Sequence, residues 1–378
     1  MRHVTFRLII VAAALVSLTA PASATRGGYG AVSPELADEA ASGGGQAPPA
    51  SLAKPWTMPR TPDGKPDLQG NWTNATLTPI ERPDNTPLAL PKDQVAKREQ
   101  AFRERQARLA EDSDPNRPAP PKGGDGSTGA AGNVGGYNYF WIDPGDRVAV
   151  VDGQFRSSLI TYPLNGKVPA LTPEATKRTQ MRLAARKGIG QYDHPEMRPL
   201  AERCFMSFGS NAGPPMLPNY FYNNNYQFVQ TKDALMILVE MVHDVRVIRI
   251  GSNLEHPPKH IRPWMGDSIG RWEGDTLVVE TTNFHPMQLA QVGVYRGGSE
   301  NLKVIERFTR TGRDTILYKF EVDDPTTFSE KWGGEVPFNR TEDLIYEYAC
   351  HEGNYALSNV LSGERNREKR EAEKKKQQ

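Results

Sequence analysis

The chain has 378 residues, of which 37% are hydrophobic and 24% charged, and its formal net charge is +1. This length suits one large or two ordinary domains. The nearly balanced charge, without a basic stripe interleaved with aromatic residues, argues against a nucleic-acid-binding surface.

The N-terminus predicts export. Met1–Ala24 begins with basic residues, continues with the apolar run Leu8–Leu18, and ends in the small-residue site Ala22-Ser23-Ala24. This order is typical of a secretory signal peptide cleaved before Thr25. The apolar run is too short to span a bilayer, and no later segment is apolar enough. We therefore expect a periplasmic or secreted protein without a membrane span.

The residues that follow predict little buried structure. The Gly-, Ala-, Ser- and Pro-rich region 25–54 is expected to be a flexible leader. Pro55–Trp72 contains several prolines and tryptophans and is expected to be an extended arm lying on the domain surface. Lys92–Glu111 predicts a charged surface helix, and Pro115–Gly136 predicts a mobile loop. Residues 55–136 thus precede the main domain.

Residues 137–363 predict a mainly β domain of about ten or eleven short antiparallel strands. The strongest signal is Asp267–Phe284, a hairpin that turns at Glu273-Gly274-Asp275. Leu302–Thr309 and Thr315–Val322 repeat this plan. Consecutive hairpins favour an antiparallel up-and-down barrel, with a sandwich as the alternative. The other predicted strands are Tyr139–Asp143, Val148–Val151, Ser157–Tyr162, Tyr226–Thr231, Ala234–Val242, Val245–Ile250, Phe328–Asn339 and Leu344–Cys350.

A second accessory helix and a charged tail complete the predicted elements. Thr172 and Pro173 are a favourable N-cap and first helical residue for a helix that continues to about Lys187. The tail, residues 364–378, consists almost wholly of Lys, Arg, Glu and Gln and has no apolar stripe. This composition is compatible with a helix that buries no face, and we expect disorder at the end of the tail.

The chain contains two cysteines, Cys204 and Cys350. Export would place both in an oxidising compartment, so the sequence predicts a disulfide bond between them.

Six segments together resemble a family of exported bacterial proteins of unassigned activity. They are PRTPDGKPDLQGNW (Pro59–Trp72), GPPMLP (Gly213–Pro218), NNNYQFVQT (Asn223–Thr231), EMVHDVRVI (Glu240–Ile248), GDSIGRWEGDTLVVETTNF (Gly266–Phe284) and YEYACHEGNY (Tyr346–Tyr355). The resemblance implies a periplasmic or secreted bacterial protein and transfers no catalytic residue. In addition, GRWEGDTLVVE resembles the tryptophan-containing opening of lipocalin-like barrels.

Three residues are candidates for acid–base catalysis. His243 is followed by Asp244, which could orient it as a general base, although a strand-end histidine satisfied by its neighbours would show the same pattern. His351 directly follows Cys350, so a disulfide would hold it rigidly. Glu306 shares a strand face with apolar residues and is expected to point into the barrel, either as a titrating acid or in a pair with Arg271 or Arg296.

Further residues are candidates for ligand binding, although several are equally compatible with a packed core. They are Trp264, Arg271, Trp272, Arg296, Tyr318, Trp332 and Glu352. His256 and His260 have the i, i+4 spacing of helical metal ligands, with His285 a conceivable third ligand. Pro257-Pro258 opposes a helix there, so no metal site and no cofactor are predicted.

The sequence leaves three functions open. The first is binding of a small, partly apolar or aromatic molecule in a barrel pocket. The second is a cofactor-free lyase, isomerase or hydrolase in which Arg271 stabilises negative charge. The third is an interaction module of the cell envelope. The oligomeric state is not assigned.

Overall fold

The structure, a computed structural model, describes residues 56–109, 116, 143–207, 213–218, 222–289 and 297–377. The predicted signal peptide, the flexible leader and nearly all of the predicted loop at 115–136 lie outside these residues. So does the first predicted strand, apart from Asp143.

The described residues form thirteen strands and four α-helices. The strands are β1 (Gly70–Thr73), β2 (Ala89–Leu90), β3 (Val150–Val151), β4 (Gln154–Arg156), β5 (Ile160–Tyr162), β6 (Asn225–Gln230), β7 (Ala234–Val239), β8 (Val245–Ile250), β9 (Asp267–Glu273), β10 (Thr276–Thr282), β11 (Lys303–Gly312), β12 (Thr315–Asp323) and β13 (Trp332–Arg340). The helices are α1 (Lys92–Leu109), α2 (Pro173–Ala185), α3 (Pro286–Leu289) and α4 (Ala356–Lys376).

Nine strands close into a barrel, which confirms the predicted fold class. The order is β1-β6-β7-β8-β9-β10-β11-β12-β13, and β13 pairs with β1. The pairing is not purely antiparallel, because β8 runs parallel to β9 with Ile248 opposite Ser268. In a closed ring with an odd number of strands, directions cannot alternate throughout. One parallel pair is therefore required by the strand number.

The N-terminal arm contributes more than the surface segment predicted for it. Gly70–Thr73 is strand β1, which pairs with both β6 and β13 and so closes the barrel. Leu68 and Trp72 are fully buried, and the Trp72 indole Nε1–H donates to the Leu68 carbonyl at 3.0 Å. Burial of two large apolar side chains favours this docking over a loose surface arm. The barrel is therefore not confined to residues 137–363.

Two strand predictions were wrong. The predicted strand Leu344–Cys350 has no strand structure. Strand β13 pairs with β12 on one side and with β1 and β5 on the other, which leaves no free edge beside it. The predicted strand Val148–Val151 is shortened to β3, which belongs to a separate small sheet in the order β2-β4-β3.

The two accessory helices are confirmed as α1 and α2. Thr172 caps α2, since its Oγ1 accepts a hydrogen bond from the Ala175 N–H at 3.1 Å. None of the helices among the described residues is long and apolar enough to cross a membrane.

Helix α4 includes most of the charged tail, for which the sequence predicts a helix without an apolar face or disorder. Helix α4 continues to Lys376, and none of its residues is buried. Arg367 pairs with Glu364 and Glu371, and Arg365 pairs with Glu368 at 3.0 Å. Such i, i+3 and i, i+4 pairs favour the helix, and strong helix formers add to them.

The two ends of the barrel differ. At the hairpin end, tight turns join β6 to β7, β9 to β10 and β11 to β12. The opposite end, here called the loop end, carries the connections that enter β6, β8, β9, β11 and β13. The buried segment Gly213–Pro218 also lies there, where the Asn74 side chain, directly after β1, donates to the Met216 carbonyl at 3.2 Å.

Candidate functional site

A buried polar network crosses the barrel interior. Arg246 of β8 donates from Nη1 to Glu306 Oε1 of β11 at 2.8 Å and from Nη2 to Glu306 Oε2. The Tyr318 hydroxyl donates to Glu306 Oε1 at 2.9 Å. Glu306 is fully buried, which confirms that it points into the barrel. Its partner is Arg246, whereas the sequence suggests Arg271, which is exposed, or Arg296, which lies outside the described residues.

The network satisfies its own polar groups. Arg246 also donates to Ser268 Oγ at 3.1 Å and to Thr281 Oγ1 at 2.8 Å. The Tyr318 hydroxyl accepts a hydrogen bond from the Met216 N–H at 2.9 Å. Burial, followed by the Glu306 carboxylate, raises the pKa of Tyr318 well above its usual value, so the hydroxyl remains a donor. These side chains hold the barrel together, and the pairing leaves none of the Glu306 carboxylate for a substrate.

The predicted catalytic residues lie in different environments. His243 ends a short 3-10 turn, Met241–His243, at the loop end; it is exposed, and its Nδ1 lies 2.8 Å from the Tyr348 carbonyl oxygen. His351 is exposed, whereas Glu306 is sealed in the interior. Arg271 is exposed near the hairpin end, where its Nη2 pairs with Glu273 at 2.7 Å.

The predicted disulfide is present. Cys204 and Cys350 are joined with an S–S distance of 1.99 Å and a Cα–Cα distance of 5.8 Å. The Cys350 N–H donates to the Tyr348 carbonyl at 2.9 Å, the same carbonyl that His243 contacts. The bond therefore fixes the segment around Cys204 beside the loop end of the barrel.

Next to the disulfide lies an aromatic stack of Phe205, Trp264 and His285, which together with Arg203 and Gln288 we call the rim site. Gln288 lies in α3, which follows His285, and a Cβ on Gly213 would lie 3.2 Å from Gln288 Nε2 and 3.5 Å from Met265 Cγ. The Phe205 and Trp264 ring centroids are 5.3 Å apart, and those of Trp264 and His285 are 4.0 Å apart, both stacked. The Arg203 guanidinium carbon lies 4.9 Å from the Phe205 centroid. Phe205 remains 42% exposed, so the stack opens to solvent.

Backbone contacts hold the two inner rings together. The Pro263 carbonyl accepts from both the Gly266 N–H and the His285 N–H, each at 3.1 Å. Gly266 has φ +74°, and a Cβ on it would lie 2.6 Å from the Thr282 carbonyl oxygen. Only glycine fits this turn without strain. The turn thereby places Trp264 directly against His285.

The imidazole of His285 has a defined role in hydrogen bonding. Its Nδ1 accepts from the Met287 N–H at 3.2 Å, which assigns the proton of the neutral ring to Nε2. Burial lowers the pKa of His285 below its usual value, so the ring is neutral at pH 7. The Nε2–H is thus a neutral hydrogen-bond donor at the edge of the stack.

Several polar atoms around the rim site are buried without a hydrogen-bond partner among the described residues. They are Arg203 Nη1, Gln288 Oε1 and Asp244 Oδ2. Asp244 directly precedes β8, and the parallel pairing of β8 with β9 brings it to the same rim as Trp264. Burial raises the pKa of Asp244. Unpaired buried polar atoms are costly and therefore indicate a ligand or a mechanistic role.

The other predicted ligand-binding residues are dispersed. Tyr318 and Trp332 are fully buried core residues, and Trp272 is half-buried against that core. Glu352 is exposed in the segment after the disulfide. Arg296 lies outside the described residues. Of that set, Trp264 alone lies in the rim site.

The predicted absence of a helix between His256 and His260 agrees with the structure, which has a loop there. His256 Nδ1 lies 2.6 Å from Asp267 Oδ2, and its Nε2 lies 3.5 Å from Glu280 Oε1. Both nitrogens therefore face carboxylates on the outer surface of the barrel.

Asp193, Glu364 and Glu368 place ligand atoms within 4.8 Å of one another. Arg365 pairs with Asp193 and Glu368, and Arg367 pairs with Glu364. Ion pairing accounts for this exposed cluster.

No protein-family model and no curated protein matches this chain.

Sequence reasoning missed most of the rim site. Arg203 and Phe205 flank Cys204, so their position beside the predicted disulfide was a usable signal. Gln288 and Asp244 carry no such signal, because their importance follows from buried atoms without partners. His285 was considered only as a metal ligand.

Proposed function

We propose that this chain is an exported protein that binds a small, partly apolar aromatic molecule at the rim site. The observation that carries the proposal is the partly exposed stack of Phe205, Trp264 and His285 beside unpartnered polar atoms. Aromatic rings in stacked geometry contribute about 0.5–1.5 kcal/mol beyond the area that they bury. An aromatic ligand would pack against the exposed part of Phe205.

The surroundings suit a partly apolar ligand. Leu200, Met206 and Met265 form a small buried cluster against which Trp264 packs. Methionine adapts its shape and makes favourable contacts with aromatic rings. A few polar groups in an otherwise apolar site are the usual composition of a small-molecule site.

Export is supported by two features. The N-terminus has the basic, apolar and small-residue order of a signal peptide. The Cys204–Cys350 bond is of the kind that persists in oxidising compartments.

Binding is tested with naphthamide, a neutral planar aromatic probe, and methyl NMR of labelled methionines. We expect the Met206 and Met265 methyl resonances to shift on titration, and Trp264→Leu to abolish the shift. Trp56→Leu is the matched control, because Trp56 is also partly exposed, at 38%, but lies at the N-terminus of the described chain. Shifts that persist in Trp264→Leu, or no shift with the wild-type protein, would refute binding at the rim site.

A second candidate function is acid–base catalysis without a cofactor. The observation in its favour is the buried, unpaired Asp244 Oδ2 at the rim that Asp244 shares with Trp264, which stacks on His285. Burial raises the pKa of Asp244 and lowers that of His285. Such groups are suited to proton transfer near neutrality. The Asp244 carboxylate would remove a proton adjacent to a ligand carbonyl, and the His285 Nε2–H would donate a hydrogen bond to the resulting enolate oxygen.

Catalysis is tested by incorporation of deuterium from heavy water next to the carbonyl of an aryl ketone. We expect exchange with the wild-type protein and its loss in Asp244→Asn. Exchange at the same rate in both proteins would exclude this role for Asp244.

A further inference from the structure

We propose that the rim site selects an aromatic carboxylate, with Arg203 binding the carboxylate and Gln288 accepting a hydrogen bond from a second polar group of the ligand. This inference rests on the proposed binding function and assigns the chemical class of the ligand. Both residues have a buried polar atom that the described part of the chain leaves unpaired.

Arg203 is set up as an anion-binding group. Its guanidinium lies over Phe205, and no ion pair involving Arg203 occurs among the described residues. A buried donor without a partner is unfavourable, and a bound anion would remove that cost. The planar guanidinium can donate two parallel hydrogen bonds to a carboxylate, a geometry that a lysine cannot reproduce.

A neighbouring arginine shows the contrast. Arg198 also lies over an aromatic ring, with its guanidinium carbon 4.6 Å from the Tyr192 centroid. Its guanidinium is occupied by Glu202, through bonds of 2.8 Å and 2.7 Å. Two stacked arginines thus lie in the same segment, one neutralised by the protein and one left for an external anion.

The aromatic part and the second polar group follow from the rest of the site. Trp264 and the Arg203 guanidinium both pack on the Phe205 ring, so a ligand meets the exposed part of this residue, which is 42% exposed. Contacts between aromatic rings, edge-to-face ones included, favour an aromatic ligand over an aliphatic one. Gln288 Oε1 is an acceptor, so it complements a hydroxyl or N–H group of the ligand. The His285 Nε2–H supplies a further donor at the edge of the stack.

The inference is tested by calorimetric titration with four probes. Naphthoate and naphthamide differ in charge, hydroxynaphthoate adds a hydrogen-bond donor, and cyclohexanecarboxylate keeps the charge without the ring. We expect naphthoate to bind at least about tenfold more tightly than naphthamide, since hydrogen bonds to a charged group contribute about 1.5–3 kcal/mol. Hydroxynaphthoate should bind more tightly still, and cyclohexanecarboxylate much more weakly.

Variants assign the difference to named residues. Arg203→Met should abolish the preference for naphthoate, measured as the ratio of the naphthoate and naphthamide affinities, and Arg203→Lys should retain part of that preference. Arg198→Met is the matched control and should change neither affinity. Gln288→Leu should remove only the additional affinity for hydroxynaphthoate.

The outcomes separate this inference from the function on which it rests. Equal affinities for naphthoate and naphthamide would overturn the carboxylate assignment and leave aromatic binding intact. Equal affinities for naphthoate and cyclohexanecarboxylate would overturn the aromatic assignment. Absence of binding by all four probes would overturn both proposals.

Discussion

Replacing Glu306 with Gln should destabilise the barrel strongly. The carboxylate accepts two hydrogen bonds from Arg246 and one from the Tyr318 hydroxyl, in a site where Glu306 is 0% and Arg246 is 3% exposed. Glutamine keeps the shape but leaves the guanidinium charge uncompensated. Breaking one partner of a buried ion pair typically costs about 3–5 kcal/mol. We therefore expect the free energy of unfolding to fall by about 4 kcal/mol, nearly a thousandfold in the unfolding equilibrium.

The measurement is guanidinium chloride unfolding followed by tryptophan fluorescence, since Trp72 and Trp332 are fully buried. The double variant Arg246→Met with Glu306→Leu is the control, because replacing a whole buried pair by apolar residues is often neutral or stabilising. It should recover most of the loss and give a large coupling energy. A loss below about 1 kcal/mol in Glu306→Gln would show that water reaches the pair and would refute the sealed interior.

Three further predictions concern the rim site and the disulfide. The pKa of His285 is lower in the folded than in the unfolded protein, so the free energy of unfolding should fall as pH drops below about 6.5, and unfolding of His285→Phe should lack this dependence. The pKa of Asp244 is raised on folding, so its charged form weakens the fold above pH 4, and Asp244→Asn should have a higher thermal midpoint than the wild type at pH 7 with little difference at pH 3. The Cys204–Cys350 bond spans 146 residues, so Cys204→Ser with Cys350→Ser should lower the free energy of unfolding by up to about 5 kcal/mol in chemical denaturation; an unchanged midpoint would contradict this.

The barrel could be predicted from sequence because its signals are local. Alternation of apolar and polar residues and short turns specify the hairpins β9–β10 and β11–β12. The same alternation predicts that Glu306 faces the barrel interior. It also places Arg246 on the face of β8 that carries Ile248 and Ile250. The sequence did not identify Arg246 as buried. A buried charge is tolerated only beside an opposite charge, and the partner of Arg246 could not be named from the sequence.

Closure of the barrel was less predictable because it depends on pairings between residues far apart in sequence. Strand β1 joins the barrel through pairings with β6 and β13, which lie far away in the sequence. Asn74, directly after β1, and Tyr226 of β6, for example, are 152 residues apart. Nothing in Gly70–Thr73 alone distinguishes a closing strand from an extended arm. The need for one parallel pair, here β8–β9, follows from the odd number of strands, and that number is known only when β1 is included.

The rim site illustrates a further limit of reasoning from sequence. Inward-facing polar side chains attract attention in a sequence, yet here Arg246, Glu306 and Tyr318 satisfy one another. Polar atoms that the fold leaves unpaired, on Arg203 and Gln288, lie instead where loops from several strands meet. A barrel can bury a polar network in which every group is hydrogen-bonded, and this network stabilises the fold. Polar groups left without partners at the barrel mouth are the ones that gain free energy when a ligand binds them.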